Sequence, residues 1–126
     1  MLTELRITNF AVIETLSLTI DSGFTVLTGE TGAGKSLLID AVTLLVGGRA
    51  SIEQIRFGED EAQLEASFEI PSSHPLLGRL RKQEILGPHD STLVIRRVIA
   101  RSGRNRVYLN GMLTPVHVLE EFAGTL

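Results

Sequence analysis

Apolar and polar residues alternate along the first twenty positions of the chain. This alternation predicts two strands, one over "LTELRITNF" and one over "AVIETLSLTI". A turn at Asp21 to Gly23 follows, and then the short apolar run Phe24 to Thr28, which is typical of a strand buried on both faces. The chain therefore begins with three predicted strands.

A helical pattern replaces the alternation between Lys35 and Val46. Apolar residues fill most of these positions and leave little polar face, so we expect this helix to be largely buried. Gly47 and Gly48 follow directly and predict the end of the helix, because glycine readily adopts the backbone conformation that terminates one.

Strand patterns return in the second half of the chain. Ala62 to Ile70 alternates cleanly before Pro71, and "STLVIRRVIA" and "RVYLNG" flank the Gly-containing segment "RSGRN", which predicts a hairpin. Residues 72–91 contain Pro and Gly interruptions and predict a short helix and a loop. The segment "PVHVLEEFAGTL" starts with proline, which favours the first position of a helix, so a final helix is predicted there.

The segment "GETGAGKS" lies between the third predicted strand and the first predicted helix, and it fits G-x-x-x-x-G-K-[ST]. Such a loop binds phosphates, because its glycines let successive backbone N–H groups point inward and the helix that follows adds its N-terminal dipole. We expect Lys35 to reach the β- and γ-phosphates and the Ser36 hydroxyl to ligate Mg²⁺. The sequence thus predicts a site for ATP or GTP with Mg²⁺.

The predicted nucleotide site is a continuous segment. Its residues are Gly29, Glu30, Thr31, Gly32, Ala33, Gly34, Lys35, Ser36 and Leu37, with Ser36 as the Mg²⁺ ligand. Glu30 is expected to be a solvent-facing spacer rather than a catalytic base, because the backbone of such a loop does the binding.

A complete P-loop ATPase also needs an acidic residue after a second apolar strand, and the sequence contains none. Leu37 to Asp40 ("LLID") has apolar residues followed by an acid, but it lies in the predicted helix and not in a strand. Leu44 to Ala50 ends that helix, whereas the signature of ABC-type ATPases opens one. We therefore expect half of a catalytic site with no catalytic residue of its own. Either the remainder lies C-terminal to Leu126 in a longer protein, or the chain is a binding module only.

Charge is distributed unevenly along the 126 residues. Residues 1–78 carry 4 basic and 11 acidic groups, whereas residues 79–126 carry 8 basic and 4 acidic groups. The basic part contains "RLRK" and "RRVIARSGRNR", which either form a solvated strand face or face the phosphates of a nucleic acid or nucleotide.

Composition narrows the remaining possibilities. The chain has no cysteine, and its histidines (His74, His89 and His117) are far apart, so neither a thiolate nor a histidine metal site is predicted. No signal peptide or membrane-spanning run is evident, and 43% hydrophobic residues suffice for the core of one domain. We expect a cytoplasmic chain without a membrane partner.

The order of the motifs resembles the ABC-type heads of the SMC, Rad50 and RecF class of DNA-maintenance ATPases. Their N-terminal pattern L-x-I-x-N-F is matched by Leu5, Ile7, Asn9 and Phe10. Their hairpin pattern R…G…Y-x-N-G is matched by Arg97, Gly103, Tyr108, Asn110 and Gly111. SMC heads more often carry Pro-Asn where this loop has Glu30-Thr31, but "TGETGAGKS", "LLVGGRAS" and "IRFGEDEAQLEASFEI" are similar to the RecN family of SMC-like DNA repair proteins.

The resemblance implies a fold and a function. The fold is an α/β P-loop head of which residues 1–126 form the N-terminal lobe, with mostly antiparallel strands around one P-loop helix. The implied cofactors are ATP and Mg²⁺, and the implied partners are a second head in a homodimer and, through the full-length protein, DNA. The implied role is recombinational repair of DNA double-strand breaks at the nucleoid. By this resemblance a glutamine loop, a long coiled coil, the signature motif and the Mg²⁺-binding acidic strand (Walker B) would lie outside this sequence.

Several assignments stay open at this stage. Asn9 to Val12 either contact adenine or simply connect strands, and Arg49 and Arg56 either face phosphate or a partner head or form surface ion pairs. The arginines of "RSGRNR" either touch DNA or stay solvated. An exposed edge at Phe24 to Thr28 predicts self-association.

Two other functional classes remain alternatives. An ABC transporter subunit usually carries an aromatic residue for adenine before the loop strand, but Tyr108 is the only Tyr or Trp here. A nucleotide-responsive interaction domain without catalysis is the second alternative.

Overall fold

One antiparallel sheet organises the chain in a computed structural model, which describes residues 2–19 and 32–123, with residues 32–36 as helical backbone. The described strands are β1 (Leu2–Phe10), β2 (Ile13–Thr19), β3 (Glu61–Glu69), β4 (Thr92–Ala100), β5 (Asn105–Leu109) and β6 (Met112–Thr114). The described α-helices are α1 (Gly32–Leu45), α2 (Pro75–Lys82) and α3 (Val116–Ala123), and a short 3-10 helix covers Ile52–Gln54.

The strands lie in the order β2-β1-β3-β4-β5-β6, and each neighbouring pair is antiparallel. Strand β1 has a partner on each side, so that Ile7 lies opposite Leu16 of β2 and opposite Leu64 of β3. In the sequence, the predicted phosphate loop and α1 therefore lie between two strands, β2 and β3, that both pair with β1.

The predicted strands and helices agree with the described elements, apart from the strand predicted over Phe24 to Thr28, which lies outside the described residues. The predicted α/β fold with mostly antiparallel strands is confirmed. Strand β6 was not predicted, because three residues are too short for an alternating pattern to be visible.

The core lies on one face of the sheet, where buried residues form rows across four strands. One row consists of Leu5, Ala66, Ile95 and Leu109, and the next of Ile7, Leu64, Arg97 and Val107. The helices add apolar residues to the same cluster, among them Leu44, Leu80 and Phe122. Arg97 thus occupies a position in a row whose other three residues are apolar.

The opposite face of the sheet is polar and partly exposed. Arg6 pairs with Glu4 at 2.6 Å, and Arg106 pairs with Glu61 at 3.4 Å. The guanidinium of Arg96 stacks on the ring of Tyr108, 4.3 Å from its centroid. Exposed ion pairs contribute little to stability, so these contacts describe a solvated strand face rather than a second core.

The expectation that α1 is largely buried is wrong. Ala41 and Leu44 are buried against the sheet, but Ile39 is 65% exposed. Val42 and Val46 are half-buried and share the side of Ile39 by helical spacing. Val42 still packs against the core, whereas the side chain of Ile39 remains accessible.

Two glycines end α1, as predicted. The backbone at Gly47 has φ +106, and its N–H donates to the Leu44 carbonyl at 3.2 Å. The N–H of Gly48 donates to the Thr43 carbonyl at 2.8 Å. These two hydrogen bonds form a Schellman motif, which satisfies carbonyls that the helix end would otherwise leave free.

The turn between β5 and β6 uses Asn110 and Gly111, both with positive φ, as a two-residue hairpin turn requires. The Asn110 side chain accepts a hydrogen bond from the Val94 N–H at 2.6 Å. Its Nδ2 donates to the carbonyls of Thr92 at 3.2 Å and Ile85 at 3.3 Å. One amide therefore joins the turn to the start of β4 and to the loop after α2.

We expect Asn110→Ala to lower the free energy of unfolding by about 1–3 kcal/mol, because it leaves three backbone groups without their partner. Urea denaturation measures the loss. Asn105→Ala is the matched control, since Asn105 is exposed, and we expect it to stay within about 0.5 kcal/mol of the parent. Equal losses in the two variants would contradict this role of Asn110.

We expect Gly48→Ala and Gly78→Ala to have opposite effects. A Cβ on Gly48 would lie 2.7 Å from the Thr43 carbonyl oxygen, whereas a Cβ on Gly78 in α2 would meet nothing within 4 Å. Overpacking should cost about 1–3 kcal/mol at Gly48, and the higher helix propensity of alanine should add up to about 1 kcal/mol at Gly78. Urea denaturation of both variants checks the signs, and a neutral or stabilising Gly48→Ala would refute the close packing.

Candidate functional site

The predicted phosphate loop meets the described part of the chain at Gly32. Gly29, Glu30 and Thr31 lie outside the described residues. From Gly32 onward the backbone is helical, so α1 begins three residues before the predicted start at Lys35. The loop segment from Gly32 to Leu37 therefore forms the first turns of α1.

The N-terminal turn of α1 is chemically suited to an anion. The first four N–H groups of any α-helix lack a partner within the helix, and the helix dipole favours negative charge beside them. The first turn of α1 contains no acidic residue, so no negative side chain of that turn competes with a ligand. This donor set fits a phosphate group.

The other end of α1 is held by the sheet. The helix packs on β3 and β4, with Ala41, Leu44 and Leu45 in the core. Arg97 of β4 is 3% exposed and is the one buried charged residue among those the structure describes. Its Nη1 donates to the carbonyl of Leu44 at 2.6 Å and to the carbonyl of Gly48. The cation therefore lies where the helix dipole places partial negative charge.

A carboxylate of α3 acts on the same cation. Burial lowers the pKa of Arg97 below its ordinary value, because desolvation penalises the charged form, and the negative charge of Glu120 opposes this shift. The guanidinium stays charged near neutral pH because the ordinary pKa of arginine is so high. Gly47 permits the close approach of α3, since a Cβ there would lie 2.8 Å from Glu120 Cγ.

The predicted adenine-contact residues Asn9 to Val12 comprise the end of β1 and the two-residue turn, Ala11 and Val12, that leads into β2. Asn9 and Ala11 both have φ 53, a conformation that is costly for alanine. The turn is held by the segment that follows α1, because the Ala11 N–H donates to the Gln54 carbonyl at 2.7 Å and the Arg56 N–H to the Asn9 carbonyl at 2.8 Å. Val12 is 81% exposed at its tip.

The hairpin arginines have neighbours on the protein itself. Arg101 Nε donates to the Glu59 carbonyl at 3.0 Å, and Arg106 pairs with Glu61. Arg104 is exposed at the hairpin tip. Because Asp60 and Glu61 line the same shallow pocket as these arginines, the basic run does not form a uniformly positive surface.

Two other predicted arginines remain available to a ligand. Arg49 is exposed, and Arg56 is half-buried. Neither forms an ion pair with another described residue, so the surface ion-pair interpretation gains no support within residues 2–19 and 32–123.

No group of three or more His, Cys, Asp or Glu that could hold a metal ion occurs in those ranges. Over the same residues, no helix has the length and apolar character to cross a bilayer.

The structural role of Arg97 was missed by pattern analysis, although the sequence contains its signal. The resemblance marked Arg97 only as part of a hairpin motif. Leu93, Ile95, Arg97 and Ile99 share one face of β4, so the charge sits in the apolar register of its strand. Such a position predicts a buried, partnered cation.

The family described as AAA domain matches residues 4–107. DNA repair protein RecN of Bacillus subtilis strain 168 is 49% identical over 126 residues, which are 100% of this chain and 22% of that protein. RecN of Vibrio cholerae is 38% identical over 120 residues, 95% of this chain and 21% of that protein. The chain thus spans about a fifth of the length of the curated relatives it matches.

Solved structures support the fold. The SMC head domain from Thermotoga maritima superimposes with a TM-score of 0.71 at 21% identity, over 95% of this chain and 41% of that one. A structure from work on ATP-driven dimerization and DNA-stimulated activation of SMC ATPases gives a TM-score of 0.74 at 22% identity, over 98% of this chain and 78% of that one.

The match with RecN proteins confirms the resemblance inferred from the sequence motifs, and the structural matches confirm the head fold. The chain therefore belongs to the AAA domain family and is similar over its whole length to about a fifth of DNA repair protein RecN.

Proposed function

We propose that the chain binds ATP with Mg²⁺ and is the N-terminal half of an ATPase head that acts in the repair of DNA double-strand breaks. The observation that carries this proposal is the position of the motif from Gly29 to Ser36, which runs directly into the N-terminal turn of α1. The similarity to RecN proteins over the whole chain supports it.

Each part of the motif has a distinct task in this proposal. The backbone N–H groups from Gly32 to Gly34 cradle the phosphates, with Gly29, Glu30 and Thr31 completing the loop. Lys35 supplies positive charge to the β- and γ-phosphates. Ser36 holds Mg²⁺, which would neutralise phosphate charge when bound. Glu30 has no catalytic task.

The β1–β2 turn is the proposed place for adenine. Its support is its rigidity, since Ala11 holds a costly conformation and two backbone hydrogen bonds tie Ala11 and Asn9 to the segment after α1. The exposed side chain of Val12 offers an apolar surface to a base. A preformed turn of this kind binds without a further ordering cost.

Hydrolysis is proposed for the whole protein rather than for this segment. No described strand has an uninterrupted apolar run that ends at an acidic residue, as a Mg²⁺-binding strand would, and the chain spans 22% of the length of its Bacillus subtilis relative. We propose that the remaining length supplies the Walker B strand and the signature, and covers the exposed side chain of Ile39 on α1. A second head and DNA are the proposed partners, and the cytoplasmic nucleoid is the proposed location.

We expect MgATP binding to disappear in Lys35→Ala, because one positive charge at the phosphates is lost. Isothermal titration calorimetry of the chain with MgATP measures this. Lys82→Ala is the matched control, since Lys82 is the only other lysine and is exposed at the end of α2. Binding that survives in Lys35→Ala, or that is lost equally in both variants, would contradict the proposed site.

We expect the full-length polypeptide that contains this chain to hydrolyse ATP faster when double-stranded DNA is added. Lys35→Ala in that polypeptide should abolish turnover both with and without DNA, because both rates need the same phosphate loop. A phosphate-release assay with and without linear DNA measures this. A full-length protein without ATP turnover under either condition would refute the ATPase assignment, and turnover that ignores DNA would refute DNA as its partner.

A further inference from the structure

We propose that Arg97 is a positioning residue for the phosphate loop, an inference that rests on the proposed nucleotide binding. By holding the C-terminal end of α1 against β4, its guanidinium fixes where the N-terminal turn of the same helix presents its N–H groups. The two ends of this 14-residue helix are about 20 Å apart, so Arg97 acts without touching the nucleotide.

The contacts of α1 explain why such a residue is needed. Ala41, Leu44 and Leu45 hold the helix to the sheet by apolar burial, which is non-directional and permits sliding or tilting. Leu37, Leu38 and Val42 are only partly buried against the same core, and Ile39 is exposed. The two hydrogen bonds from Arg97 are directional, so they select one axial position of α1 over its neighbours.

Stability alone does not explain an arginine at this place. Its row is otherwise apolar, with Leu64 on one side and Val107 on the other, and replacing buried charge by well-packed apolar groups is often neutral or stabilising. The Nε of Arg97 is also buried without a hydrogen-bond partner among the described residues. The presence of Arg97 is therefore better explained by the positioning of α1 than by the stability of the core.

The helix end is shaped to receive this cation. The Leu44 carbonyl accepts from both Gly47 N–H and Arg97 Nη1, and the Gly48 carbonyl points to the same guanidinium. Glu120 of α3 contributes a negative charge beside it. Three elements, α1, β4 and α3, thus share one point of attachment, and this attachment is on the helix that begins with the phosphate loop.

The test compares MgATP affinity with stability in Arg97→Met and Arg97→Lys. Calorimetry at a temperature where each variant is folded should show Kd weakened about tenfold in Arg97→Met, as expected for a displaced binding loop. Arg97→Lys should recover part of the affinity, because an ammonium can still donate to a carbonyl. Urea denaturation of the same samples gives the stability of each variant.

Two controls separate positioning from a general loss of stability. Arg96→Met removes the neighbouring arginine on the opposite face of β4 and should keep the parent Kd. Leu80→Ala removes a fully buried side chain of α2 and should lower stability while it keeps the parent Kd. An Arg97→Met variant with the parent Kd would overturn the proposal, whatever its stability.

Hydrogen exchange distinguishes failure of this inference from failure of the proposed function. If the parent chain does not bind MgATP, the proposed function fails. The placement of α1 is then judged by amide exchange over residues 37–42, which should be faster in Arg97→Met than in Arg96→Met. Equal exchange in these two variants would overturn the positioning role independently of any nucleotide.

Discussion

The packing of this fold is constrained by one buried cation, the Arg97 guanidinium, because its hydrogen-bond partners are backbone carbonyls. Arg97 stands in a core row between Leu64 and Val107, and a charge in that place is tolerable only if hydrogen bonds replace water. The carbonyls that meet this need belong to the last turn of α1 and to Gly48. The sheet therefore cannot bury its core face fully unless the end of α1 takes up one defined position.

Gly47, Gly48 and Arg97 together fix the C-terminal end of α1 against the sheet. Gly47 and Gly48 turn the chain out of α1 so tightly that its final carbonyls face the sheet instead of solvent. The absence of a Cβ at Gly47 also leaves room for Glu120 of α3. The result is a helix whose C-terminal end is fixed by charge and geometry.

Much of this arrangement could be predicted from residue patterns, and the failures have physical causes. Alternation located β1 to β5, because each has one apolar and one polar face. Periodicity identified α1 but misjudged the exposure of Ile39, since apolar character does not say which layer covers a side chain. The start of α1 at Gly32 was missed because a glycine-rich segment has low helix propensity. Arg97 needed tertiary structure, since its partners are about 50 residues away in sequence.

The position of β1 between β2 and β3 has a consequence for the order of folding. Strands β3 to β6 are joined in sequence order and β1 to β2 by a tight turn, so these two groups close over shorter separations of chain than the β1–β3 pair. The β1–β3 pair closes only when residues far apart, such as Thr8 and Gln63, meet, which carries a larger loop-closure entropy. We therefore expect the local hairpins to form first, and the pairing of β1 with β3, which brings in the segment between β2 and β3, to follow more slowly.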